Sequence, residues 1–391
     1  MSIIQQAEEA ILKTYNRFPV VLEKGEGVYL YDTEGKEYLD FGAGIAVCSL
    51  GYSNDAYKNA LKNQIDHLMH TSNLFYNEPA VGAAGQLLEV TGLDKVFFTN
   101  SGTEAVEGAL KVALKYAYNK NPEKDYHFIA MKHSFHGRSL GSLSVTGNPH
   151  YQEAFLKKEF CAVLAEYNNL EDVASKITDT TCGIIMETVQ GEGGIYPAEA
   201  EFIRGVRKLC DEHDIILILD EIQCGMGRCG SMFAYEQYGV KPDVLTCAKA
   251  LGCGVPVGAF VTAEKCSTAL VPGDHGTTYG GNPLATAAVS VVLKIYKETN
   301  LIEQVKDVGA YLTEQLDKIV EKYPSVKERR GINLMQGLEL TVPVGEVVKK
   351  CIEHGLIVMS AGGNVLRFVP PLVITKQDID TMIERLEKSL A

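Results

Sequence analysis

Residues 215–221 read IILILDE, an uninterrupted apolar run that ends in two carboxylates, Asp220 and Glu221. A short apolar run of this kind predicts a strand that is buried on both faces. Comparable runs recur between amphipathic helical stretches such as 201–213, and they lie at 96–98, 127–131, 182–186, 244–247 and 258–262. Strands that alternate with helices in this way predict an α/β fold, with a mainly parallel sheet covered by helices on both faces.

The length of the chain predicts more than one domain. It has 391 residues, whereas a single hydrophobic core stops growing at about 250–300 residues. The strand–helix alternation fades after residue 282, where a helical stretch at 284–297 leads away from the sheet, and short strands are predicted near the N-terminus at 27–31 and 37–40. We therefore predict a smaller α+β lobe built from both chain ends. Its N-terminal part is expected in 1–52, the large domain in 53–281, and the linking helix with the rest of the lobe in 282–391.

Composition excludes several classes of partner. The formal net charge of −13 argues against a nucleic-acid backbone or an anionic membrane surface. No apolar run reaches the roughly 18 residues of a membrane-spanning helix, and residues 1–10 lack the basic start and apolar run of a signal peptide. The cysteines form no C-x-x-C pair, so a zinc site is not favoured. We expect free thiols in a reducing cytoplasm.

The segment TNSGTE at residues 99–104 follows a predicted strand and opens a helix whose apolar residues recur at helical spacing. Free backbone N–H groups and the positive end of the helix dipole suit such a junction to a phosphate. Ser101 followed by Glu104 is also the pattern of a capping box, which needs no ligand. The segment alone leaves phosphate binding and simple capping both open.

Two further segments place charged groups directly after strands. Asp220 and Glu221 stand at a carboxyl strand end, where open parallel sheets bind ligands. An acid there is catalytic, holds a metal, pairs with a cationic ring nitrogen, or caps the next element. Lys249 follows the strand at 244–247 and precedes a glycine-rich turn. A lysine whose pKa is lowered by desolvation attacks carbonyls, whereas a solvated surface lysine is the commoner interpretation of the residue by itself.

The segment FHGR at residues 135–138 combines an aromatic ring with a guanidinium group. Arg138 has the planar fork that binds a carboxylate through two hydrogen bonds, and Phe135 is suited to face an aromatic ring. His133 and His136 lack the i, i+4 spacing of a helical metal site, and no further ligand set lies near them in the sequence, so no metal is predicted.

Taken together and in this order, these segments resemble the class III aminotransferases of fold type I, which depend on pyridoxal phosphate. The resemblance extends from about residue 15 to about residue 375, nearly the whole chain. It is carried by DFGAGIAV at 40–47, NSGTEA at 100–105, SFHGR at 134–138, ETVQGEGG at 187–194, DEIQ at 220–223, KALG at 249–252, TTYGGNP at 277–283 and LRFVPP at 366–371.

The resemblance implies a role for each residue at a matching position. Lys249 would carry pyridoxal phosphate as a Schiff base and would shuttle the proton. Asp220 would pair with the pyridine nitrogen, Gln223 would contact the phenolic oxygen, and Phe135 would stack on the ring. The other implied contacts are the phosphate ligands Ser101, Gly102 and Thr103, the phosphate contacts Thr277 and Thr278 from the other subunit of a homodimer, the carboxylate ligand Arg138, and the substrate-switch pair Glu192 and Arg367.

The implied reaction is transfer of the terminal amine of N-acetylornithine to 2-oxoglutarate, a step of arginine biosynthesis. Other ω-amine donors stay open, namely N-succinyl-diaminopimelate, ornithine and 4-aminobutyrate. An aminomutase of the same fold and a non-catalytic binding protein are further alternatives, although the joint presence of Lys249, Asp220 and Arg138 argues against the last. Departures from the usual family residues include Val106, Cys224, Cys229, Cys253 and Thr188. Thr188 lacks the fixed φ of the proline often found there, which leaves fine substrate preference open.

Overall fold

The structure is a computed structural model that describes residues 1–391. Its helices are α1 (Ile3–Ala10), α2 (Ala43–Ala46), α3 (Asp55–His67), α4 (Glu78–Thr91), α5 (Gly102–Lys120), α6 (Leu140–Ser144), α7 (Pro149–Gln152), α8 (Leu170–Lys176), α9 (Ala200–Glu212), α10 (Pro283–Glu298), α11 (Leu301–Lys322), α12 (Val344–Glu353) and α13 (Lys376–Leu390). Its strands are β1 (Leu22–Glu26), β2 (Tyr29–Asp32), β3 (Glu37–Asp40), β4 (Lys95–Thr99), β5 (His127–Met131), β6 (Val163–Ala165), β7 (Thr181–Glu187), β8 (Val189–Gln190), β9 (Tyr196–Pro197), β10 (Ile216–Asp220), β11 (Val244–Cys247), β12 (Gly258–Thr262), β13 (Val326–Ile332), β14 (Met335–Leu340), β15 (Leu356–Ile357), β16 (Met359–Ala361) and β17 (Val365–Phe368).

A seven-stranded sheet in the order β4-β12-β11-β10-β7-β5-β6 forms the centre of the molecule. Strands β11, β10, β7, β5 and β6 are parallel, whereas β12 is antiparallel to both of its neighbours. The predicted α/β fold with a mainly parallel sheet is confirmed, and the six predicted strands of this sheet begin and end within one residue of the observed ones. The sequence pattern did not single out the edge strand β6, which has only three residues.

Alternation of side chains along β10 explains why its sequence is apolar throughout. Ile216 and Ile218 pack into a core with α5, whereas Leu217 and Leu219 pack into a second core on the opposite face with α9 and α10. A strand covered on both faces has no solvent side, so apolar residues occupy successive positions. Helix α5 lies close to the sheet because Gly108 faces the ring of Phe260, where an added Cβ would come within 2.1 Å of Cε1.

Three smaller sheets lie outside the central one. Two have four strands, in the orders β1-β2-β3-β15 and β13-β14-β17-β16, and the third is the pair β8-β9. Strand β15, from the last quarter of the chain, pairs in parallel with β3 near the N-terminus, so both chain ends build one sheet. The domain boundaries at residues 52 and 281 stay a prediction. Within α2 the φ angles are positive, 47° at Ala43 and 67° at Ile45, so this short segment is a left-handed turn.

No helix of the structure combines the length and the apolar composition that crossing a bilayer requires. The parallel strands β5, β7, β10 and β11 all direct their carboxyl ends to the same edge of the central sheet. This edge is where ligands bind in open α/β sheets.

Candidate active site

A cavity of about 420 Å³ opens at this edge of the central sheet. Eight of the residues predicted from the sequence line it together: Ser101, Gly102, Thr103, Phe135, Arg138, Asp220, Gln223 and Lys249. These residues come from four separate segments of the chain, and the fold alone brings them to one place. Glu192 and Arg367 adjoin the cavity through Gln223, whereas Thr277 and Thr278 do not line it.

The two acids at the end of β10, Asp220 and Glu221, lie in different surroundings. The Asp220 carboxylate lines the cavity and accepts hydrogen bonds from His136 Nδ1 at 2.7 Å and from the Ile222 amide at 3.1 Å. Glu221 lies away from the cavity and accepts from the Ala234 amide at 2.7 Å and from Thr188 Oγ1 at 2.5 Å. Glu221 is therefore the acid that caps the next element, the 3₁₀ helix Ala234–Tyr238.

Lys249 follows β11 and extends its amine into the cavity. Desolvation lowers the pKa of this amine to about 8, opposed by the carboxylates of Glu192 and Asp220 and reinforced by the Arg367 guanidinium. Its backbone has a φ of +49°, a left-handed conformation that costs about 1–3 kcal/mol in a non-glycine residue. Such strain is held in place at functional sites when the surroundings require the residue to point one way.

The amino end of α5 forms the opposite wall of the cavity. Ser101 caps the helix and accepts from the Glu104 amide at 3.4 Å, while the Glu104 carboxylate accepts from the Asn100 amide at 2.8 Å. The first N–H groups of a helix have no partner within it, so those of Gly102 and Thr103 present positive charge at this wall. Capping and a cavity-facing helix end thus coexist, so the two interpretations of this segment do not exclude each other.

Arg367, Gln223 and Glu192 form a chain of polar contacts beside the cavity. The buried Arg367 donates from Nη1 to Glu192 Oε1 at 2.5 Å and to Gln223 Oε1 at 2.9 Å. Gln223 in turn donates to Glu192 at 3.3 Å. Burial, the largest single influence, would raise the pKa of Glu192, but Arg367, Lys249 and Gln223 together hold that pKa below its usual value. The pair is therefore an ion pair that neutralises Arg367.

Arg138, unlike Arg367, has no counter-charge within the chain. It is exposed, and its guanidinium makes no ion pair and no hydrogen bond within the chain. It lies over the ring of Tyr151, with 3.8 Å between Cζ and the ring centroid, and 5.5 Å from the centroid of Phe135. Its donors are consequently free for an anion that enters from the cavity mouth.

Thr277 and Thr278 lie on a surface loop at the side of the cavity. Thr277 Oγ1 accepts from Asn100 Nδ2 at 3.1 Å, and Asn100 itself lines the cavity. Thr278 is exposed and does not line the cavity of its own chain. Their contact with a phosphate of another subunit stays a prediction.

Two site residues were missed by sequence reasoning. His136, weighed only as a metal ligand, is buried against Asp220. Glu187 is buried at the end of β7 and accepts from the amides of Phe135 at 3.0 Å and Gly191 at 2.9 Å. Desolvation raises the pKa of Glu187 to about 7. The position of Glu187 at a carboxyl strand end was the available signal, the same one that identified Asp220.

Comparisons with known proteins agree with this geometry. A sequence profile described as Aminotransferase class-III matches residues 10–390. The chain is 44% identical to the acetylornithine aminotransferase of Clostridium acetobutylicum, covering 97% of this chain and 98% of that protein. It is 45% identical to the acetylornithine aminotransferase of Methanocaldococcus jannaschii, covering 96% and 95%. The crystal structure of the ornithine aminotransferase of Toxoplasma gondii ME49 superposes with a TM-score of 0.94 at 31% identity, covering 99% and 94%.

The lowered pKa of Lys249 predicts how its reactivity depends on pH. Only an uncharged amine is acylated, so the cofactor-free protein should show Lys249 labelling that rises through about pH 8 and levels off above it. An ordinary lysine continues to gain reactivity up to about pH 10.4. Competitive labelling with trace acetic anhydride, read by peptide mass spectrometry, measures both, with the exposed Lys157 as internal reference.

The variant Glu192→Gln sharpens this measurement. It removes the first of the charges that raise the pKa of Lys249, so the labelling midpoint should move to lower pH. A midpoint near that of ordinary lysines in the unaltered protein would contradict the assigned environment of the amine.

Proposed function

Since the chain belongs to the class III aminotransferases, we propose that it transfers the terminal amino group of N-acetylornithine to 2-oxoglutarate. The products are N-acetylglutamate semialdehyde and glutamate, in a step of arginine biosynthesis. The observation that carries the proposal is the contrast between two arginines at one cavity. Arg367 is neutralised by Glu192, and Arg138 is free. This arrangement suits an enzyme that must bind two substrates with carboxylates in different places.

The cofactor of the enzyme is pyridoxal phosphate, and the cavity fits it. The amino end of α5 supplies backbone donors for a phosphate, and the Asp220 carboxylate supplies an acceptor for a protonated ring nitrogen. Two buried polar atoms beside Asp220, His136 Nε2 and Thr246 Oγ1, have no partner within the chain. When bound, pyridoxal phosphate supplies an aldehyde that takes up an amino group and an electron-poor ring that stabilises the charge left on a carbon after deprotonation.

We assign the residues around the cofactor the following roles. Ser101, Gly102 and Thr103 would bind the phosphate, Phe135 would face the ring, and Gln223 would contact the phenolic oxygen. Asp220 would keep the ring nitrogen protonated, because an adjacent carboxylate favours a cationic partner. His136 fixes the Asp220 carboxylate in place through the contact at 2.7 Å. Glu187 accepts hydrogen bonds from the Phe135 and Gly191 amides, and it thereby links the loop that carries Phe135 to the loop that carries Gly191.

Lys249 is the proposed base. An amine with a pKa of about 8 is uncharged in an appreciable fraction of molecules near neutral pH, and it is reprotonated without a large cost. Lys249 Nζ would hold the cofactor between turnovers, remove the proton from the terminal carbon of the donor, and return a proton to the acceptor. One mobile amine serves both halves because both proton transfers occur in the same cavity.

The two arginines separate the two substrates. N-acetylornithine reacts at its far end, so its carboxylate must bind away from the reacting carbon, at Arg138. 2-Oxoglutarate carries one carboxylate beside the reacting carbon and a distal one. Arg367 would bind the first after Glu192 moves aside, and Arg138 would bind the second. With the donor bound, the ion pair with Glu192 would compensate the charge of Arg367, so no unpaired guanidinium would lie beside the apolar chain of the donor.

The relatives support N-acetylornithine over other ω-amine donors. Two proteins named acetylornithine aminotransferase are 44% and 45% identical to this chain over nearly its full length. The ornithine aminotransferase structure that superposes well is 31% identical. Cytoplasmic location is part of the proposal, and it accords with ten cysteines that are all unpaired.

A panel of donors tests the proposed reaction directly. With 2-oxoglutarate as acceptor, kcat/KM should be highest for N-acetylornithine and lower for N-succinyl-diaminopimelate, ornithine and 4-aminobutyrate. Glutamate formation is the measurement, and Lys249→Ala is the control, which should lose both turnover and the visible absorbance of the bound cofactor. A higher kcat/KM with another donor, or turnover of a single substrate without 2-oxoglutarate, would refute the assignment.

A second prediction concerns the switch pair. Arg367→Ala should slow the half reaction with 2-oxoglutarate at least about tenfold, because a charge-assisted contact to its carboxylate is lost. The half reaction with N-acetylornithine should change less. Stopped-flow absorbance separates the two halves. Arg329→Ala is the matched control, since this arginine of the same sheet pairs with Asp317 at 2.6 Å outside the cavity. An unaffected 2-oxoglutarate half would show that Arg367 has another role.

We further infer that the working unit is a homodimer in which each subunit completes the phosphate site of the other through Thr277 and Thr278. An apolar patch supports this inference. Leu74, Phe75 and Tyr76 are 89%, 68% and 99% exposed, and Tyr279 is 61% exposed beside them. Asn73 ties the two segments together by donating to the Gly280 carbonyl at 2.9 Å. Exposed apolar surface of this extent marks an interaction site, and Thr278 lies within it.

Complementation between inactive subunits tests the shared site. Lys249→Ala and Thr278→Ala chains, co-expressed with different tags, should form a hybrid that contains one site with both native residues. The purified hybrid should therefore be more active than either variant dimer alone. A hybrid no more active than the mean of the two variant dimers would mean that Thr278 acts within its own subunit or not at all.

A further inference from the structure

No anionic side chain binds the guanidinium of Arg138, so another kind of contact must fix its position. An exposed arginine without ion pair or hydrogen bond samples many rotamers, and binding would have to order it at an entropic cost. Here the guanidinium lies over the face of an aromatic ring, with 3.8 Å between Arg138 Cζ and the centroid of Tyr151. Stacking on a ring face uses the flat side of the guanidinium and leaves its N–H donors, which lie in the plane, unoccupied.

The ring of Tyr151 is itself fixed in place. It stands on α7, where Asn148 caps the turn by accepting from the His150 amide at 3.1 Å. The next residue, Gln152, is buried and donates to the carbonyls of Leu143 and Thr146, both at 2.9 Å. These carbonyls belong to α6 and the residues that follow it, and α6 begins two residues after Arg138. The turn that carries the ring is thus bonded to the segment that carries the arginine.

The same ring also contacts the aromatic residue at the cofactor position. Tyr151 and Phe135 meet edge to face, with ring centroids 6.3 Å apart and an interplanar angle of 84°. The Tyr151 hydroxyl makes no hydrogen bond within the chain, so the ring and not the hydroxyl carries these contacts. Phe135, Tyr151 and Arg138 therefore form a continuous row of contacts, edge to face between the two rings and cation over ring between Tyr151 and Arg138.

We propose that Tyr151 is a positioning residue for substrate carboxylates. Its ring face holds the Arg138 guanidinium in place and leaves the N–H donors of that guanidinium free to bind a carboxylate. The inference rests on the proposed role of Arg138 as carboxylate ligand. It adds a residue that does not line the 420 Å³ cavity and that sets affinity through the arginine. The contribution should appear in KM for carboxylate-bearing substrates and leave the chemical step unchanged.

The test compares two donors that differ by one group. N-acetylputrescine is N-acetylornithine without its carboxylate, so it cannot use Arg138. Tyr151→Leu should raise KM for N-acetylornithine about 3- to 30-fold, the range of a cation–π contact, with kcat nearly unchanged. It should leave kcat/KM for N-acetylputrescine unaltered. Tyr151→Phe keeps the ring and should restore the native KM. Tyr151→Met serves as a second ring-free variant if the leucine variant folds poorly.

Double variants and a direct binding measurement separate positioning from a general structural effect. Arg138→Ala should raise KM for N-acetylornithine at least about tenfold, and adding Tyr151→Leu to it should change nothing further. Calorimetric titration of the cofactor-loaded enzyme with glutarate, an unreactive dicarboxylate, should show the same loss in Tyr151→Leu and its recovery in Tyr151→Phe.

The outcomes that overturn the proposal differ from those that overturn the proposed reaction. If Tyr151→Leu weakens both donors equally, or still acts in the Arg138→Ala background, Tyr151 only supports the fold and the role of Arg138 stands. If Arg138→Ala leaves KM for N-acetylornithine unchanged, the carboxylate role of Arg138 fails, and the positioning role of Tyr151 fails with it.

Discussion

The amine of Lys249 lies where water cannot fully solvate its charge, and the charges around the cavity are arranged about that constraint. Desolvation alone would drive the pKa of an ammonium far down. The carboxylates of Glu192 and Asp220 act against desolvation, while the Arg367 guanidinium acts with it, and the balance holds the pKa at about 8. Each of these groups is itself paired: Asp220 with His136, and Arg367 with Glu192. Pairing matters because a buried charge without a partner costs several kcal/mol, so the site can keep several charges near one amine only if their geometry is fixed.

The two arginines show how position determines the way a guanidinium is stabilised. Arg367 is 2% exposed and projects from β17, so it requires a counter-charge, which Glu192 provides from the loop after β8. Arg138 lies at the mouth, where solvent already stabilises its charge, and a counter-ion would compete with the carboxylate that we propose it binds. An aromatic face orders it without consuming its donors. A paired arginine suits intermittent use by one substrate, and a stacked arginine suits a carboxylate that is present in both half reactions.

Much of the fold and of the site could be predicted from the sequence, and the features that could not be predicted share a physical reason. The strands of the central sheet follow from apolar runs. Lys249 and Asp220 stand near the ends of two of these strands, and the family resemblance then assigned each of them a role. The residue pattern by itself did not say which of Asp220 and Glu221 faces the cavity, because that depends on the strand register; only the family resemblance singled out Asp220. It also did not pair His136 with Asp220, 84 residues away, or place Tyr151 under Arg138. Such contacts form only when separate loops meet over the sheet edge, and local periodicity carries no information about them. The edge strand β6 was missed because three residues are too few to show a period.

Thr188 illustrates how a departure from the usual family residue is absorbed by its surroundings. Its hydroxyl donates to Glu221 at 2.5 Å, in a place where a proline would offer no donor. Burial raises the pKa of Glu221, and hydrogen bonds from this hydroxyl and from the amides of Ala234 and Tyr235 act against that rise, so the resulting pKa is about 7. Thr188 directly follows Glu187 and precedes β8, which leads to the loop of Glu192. The hydroxyl thus joins the end of β7 to the end of β10, next to the segment that leads through β8 to Glu192. A side-chain hydrogen bond here replaces the fixed backbone angle of proline as the restraint on that loop, and it does so by stabilising an acid that would otherwise be costly to bury.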